Sequence, residues 1–188
     1  MITGHFGIAG AARSVSRERM SSALFAALLL AALTPDIVDA IYFVLGICSP
    51  YGLFSHTLHA VVLEAAVVGG IALLATGSWR IAFTFVVVVL VHVPADLITG
   101  RKLVVPGGKM FGLRLYDVPL YDWLVETPLV LVGWWLLRGS GQAPRWAMSV
   151  WALGLIVLMQ TAVDVAGALR GQGLKPSACL VAAPTRRV

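Results

Sequence analysis

The sequence predicts an all-α integral membrane protein, a bundle of about five transmembrane helices preceded by a short N-terminal interfacial helix. Three observations carry this prediction. Hydrophobic residues make up 59% of the 188 positions, against roughly 45–50% in soluble domains. Charged residues make up 12%, about half the usual share. Mean hydropathy is +0.89, and a soluble chain this short leaves too much surface exposed to hide so many apolar side chains. The same figures exclude intrinsic disorder and a nucleic-acid-binding module, so no nucleic-acid partner is expected. A disulfide-built scaffold is excluded as well, because Cys48 and Cys179 are the whole cysteine complement and form no paired motif.

A spanning helix needs about 20 mostly apolar residues, and residues 1–170 read as one domain of such helices. Within the opening segment, 1–20, the stretch from His5 to Arg13 is too short to span and suits a helix lying in the interface. Residues 22–47, SALFAALLLAALTPDIVDAIYFVLGI, form the first span, interrupted by Pro35, Asp36 and Asp39. A break at Pro35 would turn it into a re-entrant pair and leave four spans. Arg13, Arg17 and Arg19 before this run, with Val38-Asp39-Ala40 as a cleavage-like site, resemble a signal peptide. The apolar pattern continues through IYFVLGI without pause, which favours a retained helix.

The second span covers 56–76, the third 81–98, the fourth (short and Trp-rich) 121–137, and the fifth 146–169. Trp123, Trp134, Trp135, Trp146 and Trp151 sit near span ends, as interfacial aromatics do. Between spans three and four runs one long loop, TGRKLVVPGGKMFGLRLYDVPL, with a turn signal at Pro106-Gly107-Gly108. The tail, 171–188, mixes Gly, Pro, Lys and Arg and reads as flexible. The net charge of +5 is spread over the loops and divides almost evenly between the two sides, so it does not orient the bundle.

Against this background a few polar residues stand out. His56, His59 and His92 lie in or at the ends of apolar runs, with Asp36, Asp39, Glu64 and Asp96 among them. A charged residue at mid-bilayer costs about 2.5–3.5 kcal/mol on insertion scales, so each needs a partner, a wet cavity or a metal. Asp36 and Asp39 are three apart, His56 and His59 three, His92 and Asp96 four; on helices each spacing puts both side chains on one face. Span two begins at His56 and span three ends at Asp96, so the pairs meet at one side of the membrane. His5 would have to fold back to join them.

Imidazole with carboxylate suits zinc, and also iron or manganese. One divalent ion, or two about 3.5–4 Å apart, would be held by some of His5, Asp36, His56, His59, His92 and Asp96. Glu64 and Asp39 are the candidate catalytic carboxylates, Glu64 as a general base or as a partner of Arg80 or a histidine. Each pair also has a plainer reading. Asp36 after Thr34-Pro35 suits a helix N-cap, and His92 with Asp96 suits a hydrogen bond that fixes a kink at Pro94. Asp122 and Glu126 open the fourth span as candidate outer partners of metal-bound histidines, and Asp164 is placed to bond Gln160. In the long loop, Lys109 and Arg114 are candidates for holding a substrate headgroup, beside the plainer reading of interfacial snorkelling.

These residues in this order resemble the membrane-bound metal-dependent hydrolases of the YdjM-like group, small bacterial inner-membrane proteins. The likeness rests on Gly4-His5, Pro35-Asp36, Ser55-His56-Thr57 and His92-x-x-x-Asp96. It continues through Pro106-Gly107-Gly108-Lys109, Gly112-Leu113-x-Leu115-Tyr116-Asp117 and Glu126, covering residues 4–138. The resemblance implies a metal site of His5, Asp36, His56, His92 and Asp96. The second aspartate comes one residue later than in the family's usual PDxD, at Asp39, and His59 has no counterpart there. The function expected is hydrolysis of a lipid or lipid-linked ester or phosphoester by metal-activated water. The alternative is a non-enzymatic membrane protein, a small transporter, proton relay or helper subunit, in which these residues are packing contacts.

Overall fold

A computed structural model of the chain describes residues 3–16, 18–46, 54–105, 108–141 and 143–169. Among these residues the architecture is helical: α1 (Thr3–Val15), α2 (Ser22–Ala32), α3 (Thr34–Val44), α4 (Leu58–Thr76), α5 (Trp79–Thr99), α6 (Pro119–Ser140) and α7 (Val150–Leu169). A two-stranded antiparallel hairpin, β1 (Lys102–Leu103) with β2 (Met110–Phe111), lies between α5 and α6, pairing Lys102 with Phe111 and Leu103 with Met110. The expected tail, 171–188, lies outside the described residues, as do Pro106-Gly107 of the expected turn and Ile47 at the end of the first span.

Three helices, α4, α5 and α6, are long and apolar enough to cross a membrane, which marks the chain as a membrane protein. Their outward faces suit lipid. Helix α4 buries Val61, Ala65, Gly69 and Ala72 and exposes Leu63, Ile71 and Leu74, the last at 89%. Large apolar side chains outside and small ones at the helix contact are the reverse of a water-soluble helix, because lipid solvates leucine and close backbone approach holds helices together.

The expected first span is not one helix. It breaks at Leu33 into the two 11-residue helices α2 and α3, which are bent by 61°. Pro35 lies in the first turn of α3, the place where a missing amide hydrogen leaves no bond unmade. The pair passes the length and hydropathy test only when taken together. The expected fifth span is represented by α7, whose Val150–Ala166 portion is a shorter apolar helix.

The N-terminal segment is helical, but it does not lie apart from the bundle. Thr3, His5, Gly7, Ala9, Gly10 and Arg13 of α1 are buried, and α1 packs chiefly against α6 with further contacts to α2 and α5. Glycines permit this. A Cβ at Gly7 would strike the backbone of Leu129 and Val130, and one at Gly133 would strike the backbone of Gly7. His5, Gly7 and Gly10 fall on the face that this close approach buries.

The hairpin is tied to the helix ends beneath it. Leu58 N–H donates to Val104 O at 2.9 Å, and Leu113 N–H to Leu97 O at 2.9 Å. Gly112 has φ +129°, and a side chain there would collide with the Gly100 carbonyl, so only glycine lets β2 return this close to the end of α5. Lys102 is thereby held, buried, over the ends of α4 and α5.

Candidate metal centre

Helix ends and breaks place each side chain of the site. The bend after α2 brings Asp36 and Asp39, about one turn apart on α3, to His56. His56 ends a 3-10 turn (Phe54–His56) just ahead of α4, and Thr57 caps that helix by accepting from Ala60 N–H. His92 and Asp96 are one turn apart near the end of α5, and both are fully buried.

Asp36, His56, His92 and Asp96 each offer one ligating atom, and the four atoms lie within 4.8 Å of one another. His56 Nε2 is 3.2 Å from His92 Nε2, 3.3 Å from Asp36 Oδ1 and 3.1 Å from Asp96 Oδ2. His92 Nε2 is 3.7 Å from Asp36 Oδ1 and 3.5 Å from Asp96 Oδ2. Four ligands bound at about 2.0–2.1 Å to a tetrahedral ion stand about 3.4 Å apart. The set therefore has the size of a single ion's coordination shell.

The hydrogen bonds behind the two imidazoles set their tautomers. His92 Nδ1 is 2.8 Å from the carbonyl oxygen of Ala32, at the end of α2. A carbonyl only accepts, so Nδ1 carries a proton and Nε2 is the nitrogen that faces the cluster. His56 Nδ1 lies 3.0 Å from Asp39 Oδ2 and 2.9 Å from Ser55 Oγ, which draws its proton to that side too. Two imidazole Nε2 atoms and two carboxylate oxygens thus face one point, the donor set a divalent metal takes.

Asp39 meets His56 at Nδ1, the ring nitrogen turned away from the other three side chains. Asn at this position keeps the shape and removes the charge. Asp39→Asn is expected to weaken metal binding about 10–100-fold without abolishing it, as measured by competition with a chromophoric chelator.

His5 joins the centre because α1 is buried. Its ring stacks on His92 with centroids 3.8 Å apart, and its Nε2 lies 3.1 Å from Asp96 Oδ1. Burial pushes the His5 imidazole down to about 4, against the opposing pull of Asp96, so it is neutral near pH 7. Glu126 fixes the start of this helix: its Oε2 accepts from the backbone N–H groups of Thr3 and Gly4, both at 3.0 Å. A carboxylate there satisfies unpaired amides and opposes the helix dipole. The Thr3 hydroxyl continues the chain to Gln160 Oε1 at 2.6 Å, and Gln160 Nε2 donates to Asp164 Oδ2 at 2.8 Å and Asp122 Oδ2 at 3.3 Å. Glu126 and Asp122 therefore hold α1 and α7 rather than a histidine ring, while Asp164 bonds Gln160 as its spacing suggested.

Comparison of the chain with protein families, with curated proteins and with solved structures finds no match. The site rests on its own geometry.

Four residues singled out in the sequence are not among the four clustered side chains. His59 is exposed on α4; the one-face argument required His56 and His59 on the same helix, and His56 precedes it. Glu64, in the second turn of α4, is half-buried, with one carboxylate oxygen buried and lacking a hydrogen-bond partner among the described residues. Arg80, its expected partner, pairs with Glu18 at 3.5 Å. Lys109 is exposed, and exposed Arg114 pairs with Asp117 at 2.8 Å within its own turn.

The cation that does reach the centre is Lys102, with Nζ 2.7 Å from Asp96 Oδ2. In the sequence it is one of four basic residues in a single loop. Nothing there distinguishes it, because the hairpin register that turns it inward depends on contacts with α4 and α5.

Proposed function

We propose that the protein is an integral membrane, metal-dependent hydrolase acting on a lipid or lipid-linked ester or phosphoester, in a bacterial inner membrane. The observation that supports this reading is the convergence of two imidazole Nε2 atoms and two carboxylate oxygens at membrane-helix ends. Asp36, His56, His92 and Asp96 would hold the ion, with zinc the best fit to this donor set and its spacing. When bound, such an ion supplies a water nucleophile near neutral pH and polarises the substrate oxygen.

The chain's own residues do the rest. Asp39 and the Ala32 carbonyl keep His56 and His92 in the ligating tautomer. Asp36, about one-third exposed, is the least buried of the four residues. Glu64, with one buried oxygen that has no hydrogen-bond partner among the described residues, would accept a proton. Exposed Lys109 borders the site's loop and suits a headgroup, and Arg114 joins it on release from Asp117. Five spans, with α2–α3 and α7 each counted once, would complete the bundle.

The test is metal content together with turnover. Purified protein should carry zinc, iron or manganese in stoichiometric amount, and His56→Ala should lose it. Release of a headgroup or fatty acid from extracted lipids should stop with a chelator and return with metal. Glu64→Gln should retain the metal and lose about a hundredfold in rate. Well-folded wild-type protein without metal would overturn the proposal. Metal with solute uptake into proteoliposomes but no hydrolysis would shift it to a transporter.

A further inference from the structure

Asp96 is the most heavily used group in the centre. Its Oδ2 is shared by His56, His92 and the Lys102 ammonium, and its Oδ1 is taken by His5. A second metal would need its own set of ligands beside this carboxylate. Among the described residues one group of three or more ligating side chains is found, and it is the four-residue set already described. Where a bridging carboxylate would meet a second ion, Asp96 meets a lysine on Oδ2 and the His5 imidazole on Oδ1.

Charge leads to the same place. Asp36 and Asp96 contribute carboxylates to the four-atom set, Asp39 lies behind His56, and Lys102 brings its ammonium to Asp96. A second dication beside Asp96 would stand against that ammonium in a site where His56, His92, Asp96 and Lys102 are all buried, and like charges held close in a buried site repel strongly.

From this we infer that Lys102 is the resident cation of the centre: it limits the site to one divalent ion and competes with that ion for Asp96 Oδ2. The inference rests on the metal-centre reading above and adds the ion count and the residue that sets it. An ammonium 2.7 Å from a ligating oxygen repels an incoming dication at close range. A plain structural role for Lys102, holding Asp96 in place, has the opposite consequence, because its loss would then let the ligand drift and weaken binding.

The experiment is equilibrium dialysis of the full-length, detergent-solubilised protein against zinc chloride. Bound metal is measured by elemental analysis, and affinity by competition with a chelator. Wild-type protein should bind one zinc per chain. Lys102→Met keeps the length and removes the charge, and it should bind one zinc about tenfold more tightly or better. Lys102→Arg keeps the charge and should match wild type, so the comparison survives if the Met variant folds poorly. Two zinc ions per wild-type chain would overturn the inference while leaving the metal centre standing. Unchanged or weaker binding in a folded Lys102→Met would also overturn it. Absence of zinc from wild type would instead remove the centre itself.

Discussion

Asp96→Ala is expected to empty the metal centre and to destabilise the fold in the same step. The metal loss follows from geometry, since Oδ2 of Asp96 stands 3.1 Å and 3.5 Å from the two histidine nitrogens that complete the set. The destabilisation follows from what remains behind. Lys102 stays buried with its ammonium facing a cavity in place of a carboxylate. Breaking a buried ion pair by removing one partner costs about 3–5 kcal/mol, because the surviving charge is uncompensated.

The two consequences separate in a double variant. Asp96→Ala with Lys102→Met removes both charges, and most of the lost stability should return while the metal does not. Thermal denaturation in detergent reads the first effect and elemental analysis the second. A double variant no more stable than Asp96→Ala alone would show that the stranded lysine is not the source of the loss.

Gly133→Ala is the second large effect expected, and it lies outside the site. A methyl group at this position would land on the backbone of Gly7 in α1. Neither backbone yields as a side chain does, so the helices must separate. Overpacking of this kind costs about 1–3 kcal/mol and sometimes more, and a clash with main chain belongs at the upper end.

Function should fall with stability, because α1 carries His5 to Asp96. Metal affinity is expected to drop about 10–100-fold as that outer contact is lost. Gly70→Ala is the matched control: a Cβ there meets nothing within 4 Å, so stability should hold or rise slightly. Equal melting temperatures for the two variants would overturn the close-packing account of α1 and α6.

Much of the site could be read from spacing because two of its three pairs are local. His92 and Asp96, four apart on α5, needed only a helix to share a face, and α5 supplies it. Asp36 and Asp39 needed the first turns of α3. The same rule failed at His56 and His59, where the helix begins two residues too late. It was silent on Lys102, whose position depends on the hairpin, and on Glu126, which serves an amide pair more than 120 residues away.

The sequence by itself determined that this chain belongs in a membrane, and it picked out the few polar side chains that lipid would not tolerate without a partner. Hydropathy is additive along the chain, and helical spacing is local, so neither depends on the fold. The tertiary structure alone decided that α1 is buried, that His5 and Lys102 complete the surroundings of Asp96, and that His56 and His92 turn their Nε2 atoms to the same point. Those facts rest on backbone-to-backbone contact at Gly7 and Gly133, on the bend at Leu33 and on the register of a four-residue hairpin. Each is a relation between segments far apart in sequence, and it has no counterpart in any window of residues read alone.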